Sequence, residues 1–148
     1  MKTVKFAFLA LIGLTLMACK KDSNNSSENN GITGRWKLVE VYADPGDGSG
    51  KFRSVDSKKQ LTFKADGTVE VNNGDLCTIS IDSDKKETST YKILDKNANS
   101  GKKNRLVIMS CIVMQNDPTE LSFEIKGDML TISYLCMEGC GERYKRIE

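Results

Sequence analysis

Beyond residue 31 the apolar positions recur at every second residue, not at the three- and four-residue steps of a helix. Leu61 and Phe63, then Val69 and Val71, alternate with polar neighbours on either side of Ala65-Asp66-Gly67. Leu121, Phe123 and Ile125, then Leu130, Ile132 and Tyr134, do the same around Lys126-Gly127-Asp128. Such alternation on both arms of a short turn is the pattern of an antiparallel hairpin with one buried face. The same reading predicts strands at residues 34–42, 77–81, 90–94, 105–113 and 142–147, and no stretch carries helical periodicity.

If residues 69–81 form one long strand, interrupted near Asn72-Asn73-Gly74, the chain holds eight strands. Eight antiparallel strands in sequence can close into an up-and-down β-barrel, which leaves no unpaired edge. The predicted class is therefore all-β, with a β-sandwich as the alternative that the same alternation allows. Residues 43–57, 95–104 and 114–119 are predicted loops.

The sequence before residue 32 follows a different rule. Lys2 and Lys5 precede an apolar run from Phe6 to Ala18, too short for a membrane-spanning helix and of the length found in secretory signal peptides. Leu16-Met17-Ala18-Cys19 resembles the lipobox of Gram-negative bacterial lipoproteins, which implies that Cys19 is acylated, with palmitate-type chains, and becomes the mature N-terminus. From Lys20 to Asn30 only Lys, Asp, Ser, Asn and Glu occur, a composition that buries too little apolar surface to fold. It reads as a tether. The predicted organisation is a signal peptide at 1–18, an anchor and tether at 19–31, and one domain at 32–148. Lys20 and Lys21 lack the aspartate that marks inner-membrane retention, so the expected location is the outer membrane. The protein would be lipid-anchored there, facing the periplasm or exposed on the cell surface.

Charge and composition narrow the function. Setting aside residues 1–18, with Lys2 and Lys5, reduces 22 basic side chains to 20 against 20 acidic ones. A neutral domain without a basic stripe gives no expectation of nucleic-acid binding. The sequence has no histidine, which excludes Ser-His-Asp and Cys-His catalysis and imidazole ligation of a metal. No carboxylate pair or nucleophile motif replaces them, so no enzyme, cofactor or metal is expected. Asp44, Asp47, Asp82 and Asp84 lie in turn sequences but depart from the spacing of a calcium loop, and they read as solvated turn carboxylates. Lys85-Lys86-Glu87 and Lys102-Lys103 read as solubilising loop charge. Cys77, Cys111, Cys136 and Cys140 remain in the domain. In an exported chain these four imply two disulfides, with three connectivities open, in preference to a zinc site.

Gly34-Arg35-Trp36 at the head of the first strand is similar to the Gly-x-Trp motif of lipocalins, and residues 33–148 resemble the lipocalin-like domains of small bacterial lipoproteins. The resemblance implies a barrel in which the first and last strands lie side by side. Trp36 would then meet an arginine of the last strand, Arg146 first and Arg143 second, and Gly34, Trp36 and Arg146 would plug the closed end. Cys111, Cys136, Cys140 and the 43–57 loop would lie at the open end, with Cys136 pointing inward. The leaning is to Cys136–Cys140 across the last hairpin and to Cys77–Cys111. A ligand inside the barrel would meet Leu38, Phe63, Tyr91, Ile93, Ile108, Phe123, Ile132 and Tyr134, which would otherwise be plain core. The expected function is binding of a small apolar or amphipathic ligand, with the membrane as partner through the lipid on Cys19. The alternative is a filled barrel that acts as an interaction or structural module for an envelope protein partner.

Overall fold

The computed structural model describes residues 31–94, 104–114 and 117–148. Every element among them is a strand: β1 (Gly34–Ala43), β2 (Lys51–Ser54), β3 (Gln60–Phe63), β4 (Thr68–Asn72), β5 (Lys86–Leu94), β6 (Arg105–Met114), β7 (Asp117–Lys126), β8 (Met129–Ser133) and β9 (Cys140–Arg146). All pairings are antiparallel. β1 does double duty on one edge: its first half pairs with β3 (Trp36 opposite Leu61) and its second half with β2 (Tyr42 opposite Phe52). Its other edge pairs with β9, which closes an eight-stranded barrel with β2 as an extra flank.

Alternation places one side chain in two inside. Trp36, Leu38, Leu61, Phe63, Leu106, Ile108, Leu130, Ile132 and Tyr144 are each at most 2 % exposed and meet in a single core. At eight strands, a barrel's interior is about wide enough for its own side chains. The β3–β4 turn needs Gly67, whose φ of +85° is costly for other residues, and the Asp66 carboxylate accepts from the Thr68 N–H at 2.9 Å.

Because neighbours are antiparallel, β1 starts and β9 finishes at one end, with the β3–β4 and β7–β8 turns. The opposite end holds residues 44–59, 73–85 and 134–139 and the β6–β7 junction. The predicted barrel is thus the observed one, but several predicted elements are not.

Residues 77–81 are a loop, not a strand. Asp75 explains this locally, since its carboxylate accepts from the Cys77 N–H (2.8 Å) and its own N–H donates to Ser80 Oγ (2.8 Å). Such side-chain bonds offer the backbone an alternative to a ladder. Leu76, outside the predicted run, is the side chain that enters the core. Conversely, β2 lies inside the predicted 43–57 loop, and its polar Lys-Phe-Arg-Ser sequence has no alternation to read. β5 begins at Lys86, so Lys86 and Glu87 are strand residues held by pairing with β4, not loop charge. Lys85 does stay in the loop, bound to Asp75 at 3.1 Å. β7 begins at Asp117, so Pro118 and Thr119 are strand and not loop; the register shifts there, where Pro118 faces Ile112. The leader, Cys19, residues 20–30 of the tether, residues 95–103 with Lys102 and Lys103, and residues 115–116 lie outside the described residues.

Candidate functional site

The closed end is built from the two terminal strands. Trp36 is fully buried and its Nε1–H donates to the Ile32 carbonyl at 2.7 Å. Arg146, opposite it in register, lays its guanidinium 4.0 Å from the indole centroid. Its Nη1 donates to the Thr33 carbonyl at 2.8 Å, and its Nη2 bonds the Gly31 carbonyl. Gly34 is required by this approach, because a Cβ there would lie 2.5 Å from Arg146 Nη1. Arg143, the second candidate for this role, sits elsewhere: its guanidinium stacks 3.7 Å from the Phe52 centroid and pairs with Glu40 at 2.5 Å. The tryptophan–arginine plug is structural, and its guanidinium donors are spent on backbone carbonyls.

Above the apolar core lies a charged cluster that sequence reading did not find. Lys59 and Glu142 are both fully buried and form an ion pair, with Lys59 Nζ 2.9 and 2.8 Å from the two carboxylate oxygens. Glu142 also accepts from the Ser80 N–H (3.0 Å), the Tyr134 hydroxyl (2.6 Å) and the Tyr144 hydroxyl (2.5 Å). Burial pushes the Lys59 ammonium below its usual range, against the pull of Glu142. Burial, reinforced by the neighbouring carboxylate, holds both tyrosine hydroxyls well above theirs. Period-two phase was the available signal: Glu142 shares a face with Tyr144 and Arg146, and Lys59 with Leu61 and Phe63.

The tyrosines make the cluster testable by pH. A hydroxyl whose folded value is raised contributes stability that is intact below its unfolded value of 10.0 and lost as pH rises beyond it. The slope is about 1.4 kcal/mol per pH unit for each group. Lys59, lowered, has the opposite sign, but its contribution levels off above its unfolded 10.5. In an alkaline titration followed by phenolate absorbance, Tyr134 and Tyr144 should ionise only together with loss of the folded circular dichroism. Ionisation of all four tyrosines with the fold intact would contradict the cluster.

Of the predicted ligand-lining residues, Leu38, Phe63, Tyr91, Ile108, Phe123 and Ile132 are buried against one another, with Ile93 and Tyr134 packed at the edge. Phe63 and Tyr91 meet edge to face at 5.0 Å, and the Tyr91 hydroxyl donates to the Lys64 carbonyl at 2.9 Å. Tyr134 alone among the eight lines either of two clefts on the surface.

The first cleft, of about 390 Å³, lies on the outer face of the barrel near its open end. Register assembles it: Tyr42 of β1, Gly141 of β9 and Ser133 of β8 stand side by side, with Phe52 of β2 beyond Tyr42. Gly141 has no side chain, so it forms a floor between aromatic Tyr42 and Phe52 (ring centroids 5.3 Å apart) and the Ser133 side. The 134–139 loop supplies Tyr134, Met137 and Glu138 as the other wall. The second cleft, of about 440 Å³, is lined by Asp75, Cys77, Glu87, Thr88 and Ser110 and lacks an aromatic wall.

Both disulfides are present, Cys77–Cys111 and Cys136–Cys140, as the predicted leaning had them. The second fastens the loop that walls the first cleft. Cys136 itself is exposed, not inward, because β8 ends at Ser133 and the alternation that would have turned it inside ends there. Asp44 takes a local role: its carboxylate accepts from the N–H groups of Gly46, Gly48 and Gly50, which hold it below the usual carboxylate range. Asp47 similarly accepts from Ser49.

A closed antiparallel barrel, plugged by tryptophan and arginine from its first and last strands, defines a lipocalin-like architecture. The sequence profile of a family described as a lipocalin-like domain matches residues 32–110, and the chain belongs to that family. The match runs from the plug through β5 and most of β6, while β7, β8 and β9 complete the barrel beyond it. No curated protein matches the chain.

Proposed function

We propose that this is a lipid-anchored, non-enzymatic protein of the Gram-negative outer membrane that binds a small amphipathic molecule. The observation that carries the binding half is the outer cleft, with an aromatic wall of Tyr42 and Phe52, a glycine floor at Gly141 and a polar fringe of Thr131, Ser133 and Glu138. Apolar lining with a few convergent polar groups is the usual composition of a small-molecule site. The barrel's interior is the weaker location, because its residues pack on each other and Lys59 and Glu142 lie across them.

The anchoring half rests on the Leu16-Met17-Ala18-Cys19 sequence and the polar tract after it. Gly31 begins the described chain at the plugged end, so a tether arriving there leaves the cleft end pointing away from its attachment. Cys19→Ala should move the protein from the membrane fraction to the soluble one, and a variant still held in the membrane would overturn the anchor. A second reading, docking of an envelope protein, has its own observation in the wholly exposed Met137 beside Leu135, 63 % exposed.

Binding is tested with the uncharged dye Nile red. It should gain fluorescence on the wild-type protein and lose most of that gain in Ser133→Phe, which fills the cleft from an exposed strand position. A gain untouched by Ser133→Phe would place the site elsewhere.

A further inference from the structure

The charge around the outer cleft is one-sided. Arg143 stacks on Phe52, a lining residue, at 3.7 Å, and Glu40 neutralises its guanidinium at 2.5 Å. Lys51 and Arg53 flank Phe52 in β2, and strand alternation turns them to the opposite face. At the upper end stand two carboxylates. Glu138 lines the cleft and has no cationic partner among the described residues. It lies against the Asp44 loop, where a Cβ on Gly46 would be 3.3 Å from its Oε1. Asp44 adds a second negative charge there, with its oxygens bound by backbone N–H groups and by the Tyr42 hydroxyl at 3.2 Å.

We propose that the cleft selects small amphipathic cations: an ammonium head beside Glu138, within the field of Asp44, and an apolar body against Tyr42, Phe52 and Met137. This rests on the cleft being the binding site and adds the charge of its ligand. Aromatic faces attract cations as well as apolar groups, so the walls and the carboxylates favour the same ligand. The geometry also disfavours an anion, whose head would face two carboxylates, while the guanidinium of Arg143 is already paired with Glu40.

The test uses three probes with one hydrocarbon body, 4-phenylbutylamine, 4-phenylbutanol and 4-phenylbutanoate, titrated calorimetrically into the full chain. The protein is held in nanodiscs of zwitterionic lipid, with empty nanodiscs as the blank. The amine should bind about tenfold more tightly than the alcohol, the scale of a desolvated cation–π and ion contact, and the butanoate more weakly than either. Glu138→Gln should cost the amine about tenfold and so abolish its preference over the alcohol. Glu138 is an exposed loop residue, so that variant keeps the fold. Ser133→Phe should weaken all three. Equal binding of amine and alcohol, or an amine preference that survives Glu138→Gln, would overturn the cation assignment while leaving the cleft as a site. Probes that bind but ignore Ser133→Phe, or that do not bind at all, would overturn the site and the assignment together.

Discussion

Glu142→Leu should destabilise the barrel by about 3–5 kcal/mol, the cost of breaking a buried ion pair by removing one partner. The substitution leaves Lys59 fully buried without the carboxylate that its Nζ meets at 2.9 and 2.8 Å. It also strands the Tyr134 and Tyr144 hydroxyls and the Ser80 N–H, which all converge on that carboxylate. Each stranded donor keeps its desolvation cost and loses its bond. The double variant Lys59→Met/Glu142→Leu should be more stable than Glu142→Leu alone, because the orphaned charge is gone and the stem of Lys59 is replaced by apolar volume. Urea unfolding of the two single variants and the double gives the coupling. A loss below 1 kcal/mol for Glu142→Leu, or strictly additive single effects, would show that the pair is not a unit.

Trp36→Ala should cost a similar 3–5 kcal/mol, by a different route. The indole is fully buried where β1 meets β3 and β9, and its removal opens a large cavity in the plug. Arg146 would lose the face it covers at 4.0 Å, and the Ile32 carbonyl would lose its donor. Arg146→Met should cost less, since it keeps most of the packing and loses the cation–π contact, about 0.5–2 kcal/mol, with its two carbonyl bonds. Equal losses for Arg146→Met and Trp36→Ala would mean that the arginine, not the tryptophan, organises this end.

The plug was legible in the sequence because it depends on one motif and one topological rule. Gly34-Arg35-Trp36 marks the first strand, and an up-and-down barrel brings the last strand beside it, with Trp36 opposite Arg146. The strands with strict alternation, β3, β4, β7 and β8, were legible for the same elementary reason. β2 and the first half of β5 were not, since Lys51-Phe52-Arg53-Ser54 and Lys86-Glu87-Thr88-Ser89 have no apolar phase and become strands through their partners. Residues 77–81 have the phase, but Asp75 and Ser80 spend it on a turn.

The buried cluster was hidden by composition, not by pattern. A lysine and a glutamate are seldom fully buried, so residue type argues against placing Lys59 and Glu142 inside although each continues the inward phase of its strand. The cleft was hidden for a different reason. Tyr42, Phe52, Ser133 and Gly141 come from four strands and point outward, so only the pairing register places them together. The alternation alone directs a ligand to the inner faces, where the structure has core.

The most direct test of the cleft is an amide chemical-shift map of the protein as 4-phenylbutylamine is added. The expected result is a set of perturbed amides around the cleft, at Tyr42, Phe52, Ser133, Gly139 and Gly141, with Leu38, Phe63 and Ile108 unmoved. Perturbations centred on Leu38, Phe63 and Ile108, with the β8–β9 loop silent, would contradict the account and put the ligand inside the barrel.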